Sequence, residues 1–177
     1  MFYATYLNAA LVTLSVMALF TVLYAYLNAA ALLPTTLGWV FIPVYGALNL
    51  VVYLSQITVI PALFDMRANP ATAPVADILL RLVLQSWPGS AMAFFNALAY
   101  ALLGIPSILF GLVLRQRGYV LRWGGVLLAL SGIASILGLI GVALSSSLPG
   151  GGITLGGVLF LFALFPLSWG LLWQTKN

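Results

Sequence analysis

The chain has 177 residues, 64% of them hydrophobic and only 5% charged, with a formal net charge of +4 and neither cysteine nor histidine. A soluble domain carries about a quarter charged residues, so a water-soluble globule is excluded. Disulfides, thiol chemistry, haem ligation by histidine and the usual zinc sites are excluded with it, and neither metal nor cofactor is expected.

The apolar runs are continuous rather than alternating, which argues for membrane helices and against barrel strands. A helical span needs about 20 residues, so the length accommodates four to six crossings with realistic loops. The amino-terminal MFYATYLN lacks the Lys/Arg region of a secretory signal, and the first run reads as a retained span over about 7–33, although Ala29-Ala30-Ala31 resembles a cleavage site. Within it Tyr6-Leu7-Asn8-Ala9-Ala10 is echoed by Tyr26-Leu27-Asn28-Ala29-Ala30. Twenty residues of helix rise about 30 Å, the depth of the hydrocarbon core, so each Tyr-Leu-Asn is expected at one interface; chance similarity is the competing explanation. Pro34 should end this span.

The second span is expected over about 37–60, with Trp39 at its first interface and a bend at Pro43. It carries Tyr45, Gly46, Asn49, Tyr53 and Gln56. At about 100° per residue these five share an arc of about 100°. Polar side chains facing lipid tails have nothing to bond, so this stripe must meet protein, water or a ligand.

Residues 61–89 change character, holding Asp65, Arg67, Asp77 and Arg81 among several prolines. Over about 74–87 the pattern predicts an amphipathic helix, with Pro74 in its first turn and Asp77 paired to Arg81 at i,i+4. It is too short to span and should lie in the interface or dip inward.

A third span follows over about 90–114, where Asn96, Tyr100 and Ser107 fall within about 40° of one another, flanked by Gly104 and Gly111. The fourth, about 123–144, is rich in Gly and Ser, which let backbones approach closely, so it should be central or tightly paired. Ser145 to Gly152 reads as a loop, and a fifth span covers about 153–173, interrupted at Pro166. The chain is thus expected to be an all-α membrane protein of about five transmembrane helices plus one interfacial amphipathic helix, forming a single domain.

Arg115, Arg117 and Arg122 make the densest basic loop, which places the third-to-fourth connection on the cytoplasmic side. Five crossings then put Lys176 and the carboxyl terminus inside and the amino terminus outside. The six basic residues lie near span ends, as topology anchors do, and nucleic acid is not an expected partner. The same arginines could hold an anionic lipid head group.

The second and third spans share an Asn-x-x-x-Tyr spacing, Asn49/Tyr53 and Asn96/Tyr100, so each pair projects from one helical face. Two readings stand. These residues, with Gln56, either line a pocket for a small apolar molecule or lipid, capped by 74–87, or bond across the helices as packing glue, at about 0.6 kcal/mol each. Catalysis has little to work with: the only acids are Asp65 and Asp77, and no base lies beside any Tyr or Ser to activate it. The protein is therefore expected to be a binding or carrier protein rather than an enzyme, or alternatively a non-catalytic accessory subunit of a membrane complex, with a membrane-protein partner or a second copy of itself.

The later chain carries a resemblance. Asn96-Ala-Leu-Ala-Tyr100, Gly104-Ile-Pro106, Gly111-Leu-Val-Leu-Arg115, Gly118-Tyr119-Val-Leu-Arg122-Trp123-Gly124 and Leu130-Ser131-Gly132-Ile133 resemble the bacterial membrane proteins grouped as domain of unknown function 4386. The likeness covers about fifty residues; the first half does not visibly match. It implies a bacterial inner-membrane location and no particular activity.

Overall fold

The structure is a computed structural model and describes residues 2–144 and 149–174. It is all-helical: α1 (Phe2–Leu27), α2 (Leu32–Ala68), α3 (Ala73–Val83), α4 (Ala91–Leu114), α5 (Tyr119–Ala143) and α6 (Pro149–Gln174). Five of these, all but α3, are long and apolar enough to cross a membrane. The chain is a multi-pass helical membrane protein. Lys176, on which the inward placement of the carboxyl terminus leans, lies outside the described residues, as do Ser145 to Leu148 of the expected loop.

Several helix limits differ from the expected ones for identifiable reasons. Pro34 opens a helix instead of closing one. It stands in the first turn of α2, where its missing N–H has no intrahelical acceptor to lose. The break falls earlier, at Asn28 to Ala31, where the amides of Ala30 and Ala31 both reach back to Leu27 O. Nor does Pro61 stop α2, which runs 37 residues to Ala68. Beyond Pro61 the added turns are held from outside, with Ile60 and Leu63 buried against Leu80 of α3.

That overshoot also changes an ion pair. Arg67, carried on the extra turns, reaches Asp77 at 2.7 Å, and Arg81 lies instead over the Trp87 ring at 5.4 Å. Asp77 is therefore paired between helices and not along α3. Helix α3 is shorter than expected and amphipathic: Ala76 and Leu80 are buried, whereas Val75, Ile78 and Leu82 stay exposed, as suits a helix lying in the interface. Gly89 turns the chain into α4 with a φ of 77°, and open space surrounds it, so the backbone angle alone asks for glycine there. Ser90 then caps α4 by accepting from Ala93 N at 3.0 Å.

Gly150 to Gly152, expected in a loop, belong to the first turn of α6. Proline starts the helix, and Gly152 meets Gly138 of α5 so closely that an added Cβ would sit 2.7 Å from the Gly138 Cα. Helix α5 is the centre of the carboxyl-terminal half. Gly104 faces Gly132 and Gly111 faces Gly125, each where a Cβ would strike the opposite carbonyl oxygen. The seven-residue spacing on both helices keeps the two contacts on one antiparallel seam. On an adjoining face of α5, Gly156 of α6 rests on Ser131 and Ser135.

The helices are arranged in the order α1, α2, α4, α5, α6 around an arc. Helix α1 packs on α2 and touches α4, while α6 packs on α5. Between α1 and α6 there is a gap, bridged by Phe20 and Phe160, whose rings stack at 6.2 Å. One end of the arc gathers Tyr6, α3 and the start of α6; the other holds Tyr26 and the Arg115–Arg122 turn. The two Tyr-Leu-Asn copies therefore lie at opposite ends of α1, and Trp39 stacks on Tyr24 near the arginine end at 5.3 Å.

Candidate functional site

All five residues of the α2 stripe are buried. Their partners divide them into three groups. Tyr53 donates to Asn96 Oδ1 at 3.0 Å and lies 3.0 Å from the Tyr100 hydroxyl. Because the Tyr53 proton goes to an oxygen that can only accept, Tyr100 must be the donor in the second bond. The chain of bonds runs from Tyr100 through Tyr53 to Asn96, joining α2 to α4.

Gln56 does something the sequence pattern did not indicate. Fully buried, it donates through Nε2 to Val83 O at 3.0 Å and accepts from Gln85 N at 3.0 Å through Oε1. Val83 ends α3, so its carbonyl is one of those a helix terminus leaves unfilled. The glutamine amide fixes the α3–α4 connection to the middle of the long helix.

Asn49 is also fully buried, but neither its Nδ2 nor its Oδ1 completes a hydrogen bond. It stands beside Tyr45, whose phenol also feels Thr13. The Thr13 proton is already given to Ala9 O at 2.9 Å. A primary amide left unfilled in an apolar span is costly, about 1–3 kcal/mol.

The cavity lined by several helices does not lie between α2 and α4. It occupies about 530 Å³ in the gap between α1 and α6, floored by α4 and α5. Its walls are mostly apolar, with Val12 and Val16 on one side and Val158, Phe160 and Leu161 on the other, and none of its lining residues is charged. Val12, Val158 and Leu161 are exposed on the outer surface of the bundle, so the mouth opens sideways, where lipid tails would lie. The polar lining is a set of hydroxyls: Tyr45, Tyr100, Ser107, Ser131, Ser135 and Thr154. Of the five residues read from sequence as lining a pocket, only Tyr100 lines this space, joined by Tyr45 and Ser107 from the same two polar stripes. A smaller depression of about 350 Å³, at the α3 end, touches the other side of Tyr53 together with Tyr6, Gln85 and Ser86. Asn49, Gln56 and Asn96 line neither.

Ser131 and Ser135 were visible in the sequence only as small residues suited to close packing. They do pack, against Gly156, and they also face the cavity. Their i,i+4 spacing on one face of α5 was the available signal. Gly157 gave none: it lines the cavity with nothing within 4 Å of where a Cβ would stand.

At the opposite end, Arg117 lies over the Tyr26 ring at 5.7 Å. Arg115 and Arg122 are exposed on the same turn, beside exposed Tyr119 and Trp123. Aromatic rings and cations together are what a helix end presents at a lipid interface.

Fold and cavity together define a class, a helical multi-pass membrane protein with a side-opening, charge-free chamber. No protein-family model, no curated protein and no solved structure matches the chain.

Tyr53→Phe should break both bonds of the α2–α4 bridge and leave Asn96 Oδ1 unfilled. The expected loss is about 1 kcal/mol, read as a lowered unfolding midpoint in detergent, whereas Tyr3→Phe at an exposed site should change nothing.

Proposed function

We propose that this protein binds or carries a small apolar molecule or a lipid, and that the chamber between α1 and α6 is where it does so. The observation that carries the reading is the chamber itself. At about 530 Å³ it falls within the range of about 300–1,000 Å³ usual for small-molecule sites, and it has an apolar wall, a few convergent hydroxyls and a mouth toward lipid. We read the protein as non-catalytic: the acids, Asp65 and Asp77, lie outside this lining, so no general base stands by its hydroxyls.

Gly157→Leu tests this directly. Leucine would project into the chamber without striking the backbone, and replacing a helical glycine adds about 1 kcal/mol of helix propensity. The variant should fold at least as well as the parent while losing the molecule that native mass spectrometry finds retained by the parent. Unchanged retention would remove the chamber from the function.

A second reading, a non-catalytic accessory subunit, draws on a different observation. The bonds of Tyr53, Asn96 and Tyr100 are closed on one another, as packing contacts are, and α6 presents Phe162, Phe165 and Trp169 outward. A stoichiometric partner retained through purification, with an empty chamber, would favour it.

For orientation we propose the arginine turn inside and α3 outside, in a bacterial inner membrane, with Arg115 and Arg122 free to meet anionic lipid head groups. Gly118 and Gly151 are exposed, with open space around each, at opposite ends of the bundle. A cysteine at Gly151 should react with an impermeant reagent on intact cells, and one at Gly118 only after the membrane is opened. The reverse pattern would invert the topology.

A further inference from the structure

The chemistry of the chamber's hydroxyls narrows what it can hold. Each hydroxyl has one proton and two lone pairs, and the protons of Tyr100, Ser107 and Ser135 are already committed. Ser107 donates to Leu103 O at 2.8 Å and Ser135 to Ser131 O at 3.0 Å. Tyr100 donates to Tyr53, since the Tyr53 proton is spent on Asn96. Three of the lining oxygens therefore face the chamber as acceptors. Ser131 and Tyr45 differ: they are 4% and 1% exposed, and among the described residues no hydrogen bond takes either hydroxyl proton, so each retains a proton to give.

A guest carrying only lone pairs, such as an ether, ester or ketone, can take the protons of Ser131 and Tyr45 but leaves the acceptors Tyr100, Ser107 and Ser135 unfilled. A guest carrying a hydroxyl can accept from Ser131 and donate to Tyr100, Ser107 or Ser135. An ionised head is disfavoured for another reason. No lining residue is charged, and a carboxylate or phosphate placed at this depth would find no cation to offset its lost hydration.

We propose that the chamber is a site for a long-chain amphiphile ending in an uncharged hydroxyl, the hydroxyl held on the α4–α5 floor at Ser131 and the chain leaving between α1 and α6. This rests on the binding reading above and adds to it the class of ligand. Phe20 and Phe160 close one end of the gap, so the chain would leave past Val12 and Leu161, which are exposed.

The test uses the full-length protein in a non-ionic detergent, offered hexadecanol, its methyl ether and palmitate separately at neutral pH, with bound guest counted by native mass spectrometry. Hexadecanol should be retained about tenfold more than either of the others, a preference typical of one well-made hydrogen bond. Ser131→Ala should narrow the gap between alcohol and ether while leaving retention of the ether unchanged. Equal retention of the ether by the parent would overturn the requirement for a donor, and preferred retention of palmitate would overturn the requirement for neutrality. If none of the three is retained, or if all three persist in Gly157→Leu, it is the binding reading itself that fails.

Discussion

Gly132→Leu is expected to cost about 3 kcal/mol or more and to leave little folded protein after extraction into detergent. Gly132 stands where any Cβ would strike the Gly104 carbonyl oxygen, with Ile108 Cγ1 only 2.9 Å away. Backbone cannot yield as a flexible side chain can, so α4 and α5 must separate along the whole seam, taking Gly111 and Gly125 out of contact. In a membrane this matters more than in water. Lipid tails are as apolar as leucine, so helices associate through close packing and not through escape from solvent. The comparison is Gly151→Leu, on α6 with open space around it, where the unfolding midpoint should stay within error. If Gly132→Leu behaves like Gly151→Leu, the glycine seam is not what joins these helices.

Asn49→Leu should act in the opposite sense. The two side chains are close in shape, and the amide of Asn49 is fully buried with both polar atoms unfilled. Removing it should stabilise the folded protein by about 1–3 kcal/mol, seen as a raised unfolding midpoint. A gain of stability from deleting a polar residue marks a position kept for some use other than folding. Its neighbour Tyr45 lines the chamber, and retention of a bound molecule should be measured on the same preparation. A lowered midpoint would mean that water or a guest fills the amide in the membrane, and would refute the stabilising prediction.

The sequence made the helices and their burial legible, because hydropathy sets both. The stripe on α2 was readable from Tyr45 to Gln56 for the same reason: polar atoms in a span must turn inward. What each would meet was not readable. Gln56 fastens the α3–α4 connection, a partner about thirty residues away in sequence, and no periodicity reports that. Proline does not mark the ends of α2. Pro34 sits where its defect is harmless, and Pro61 is overridden by the packing of Ile60 and Leu63 on Leu80. The triple glycine was read as a loop on propensity, whereas the close approach of Gly152 to Gly138 makes those residues useful in a helix. The chamber was hidden for a different reason: it belongs to a gap between helices far apart in the chain, and a void has no residue of its own.

The position of that gap has a mechanical consequence. Its two lips are α1 and α6, and the links between successive helices run α1 to α2 and α5 to α6, so no link ties one lip to the other. Moving α1 outward would part the Phe20–Phe160 stack and the contacts of α1 with α2 and α4, and would leave the glycine seam between α4 and α5 in place. Guests of different girth could then be admitted without disturbing the glycine-locked pair behind them.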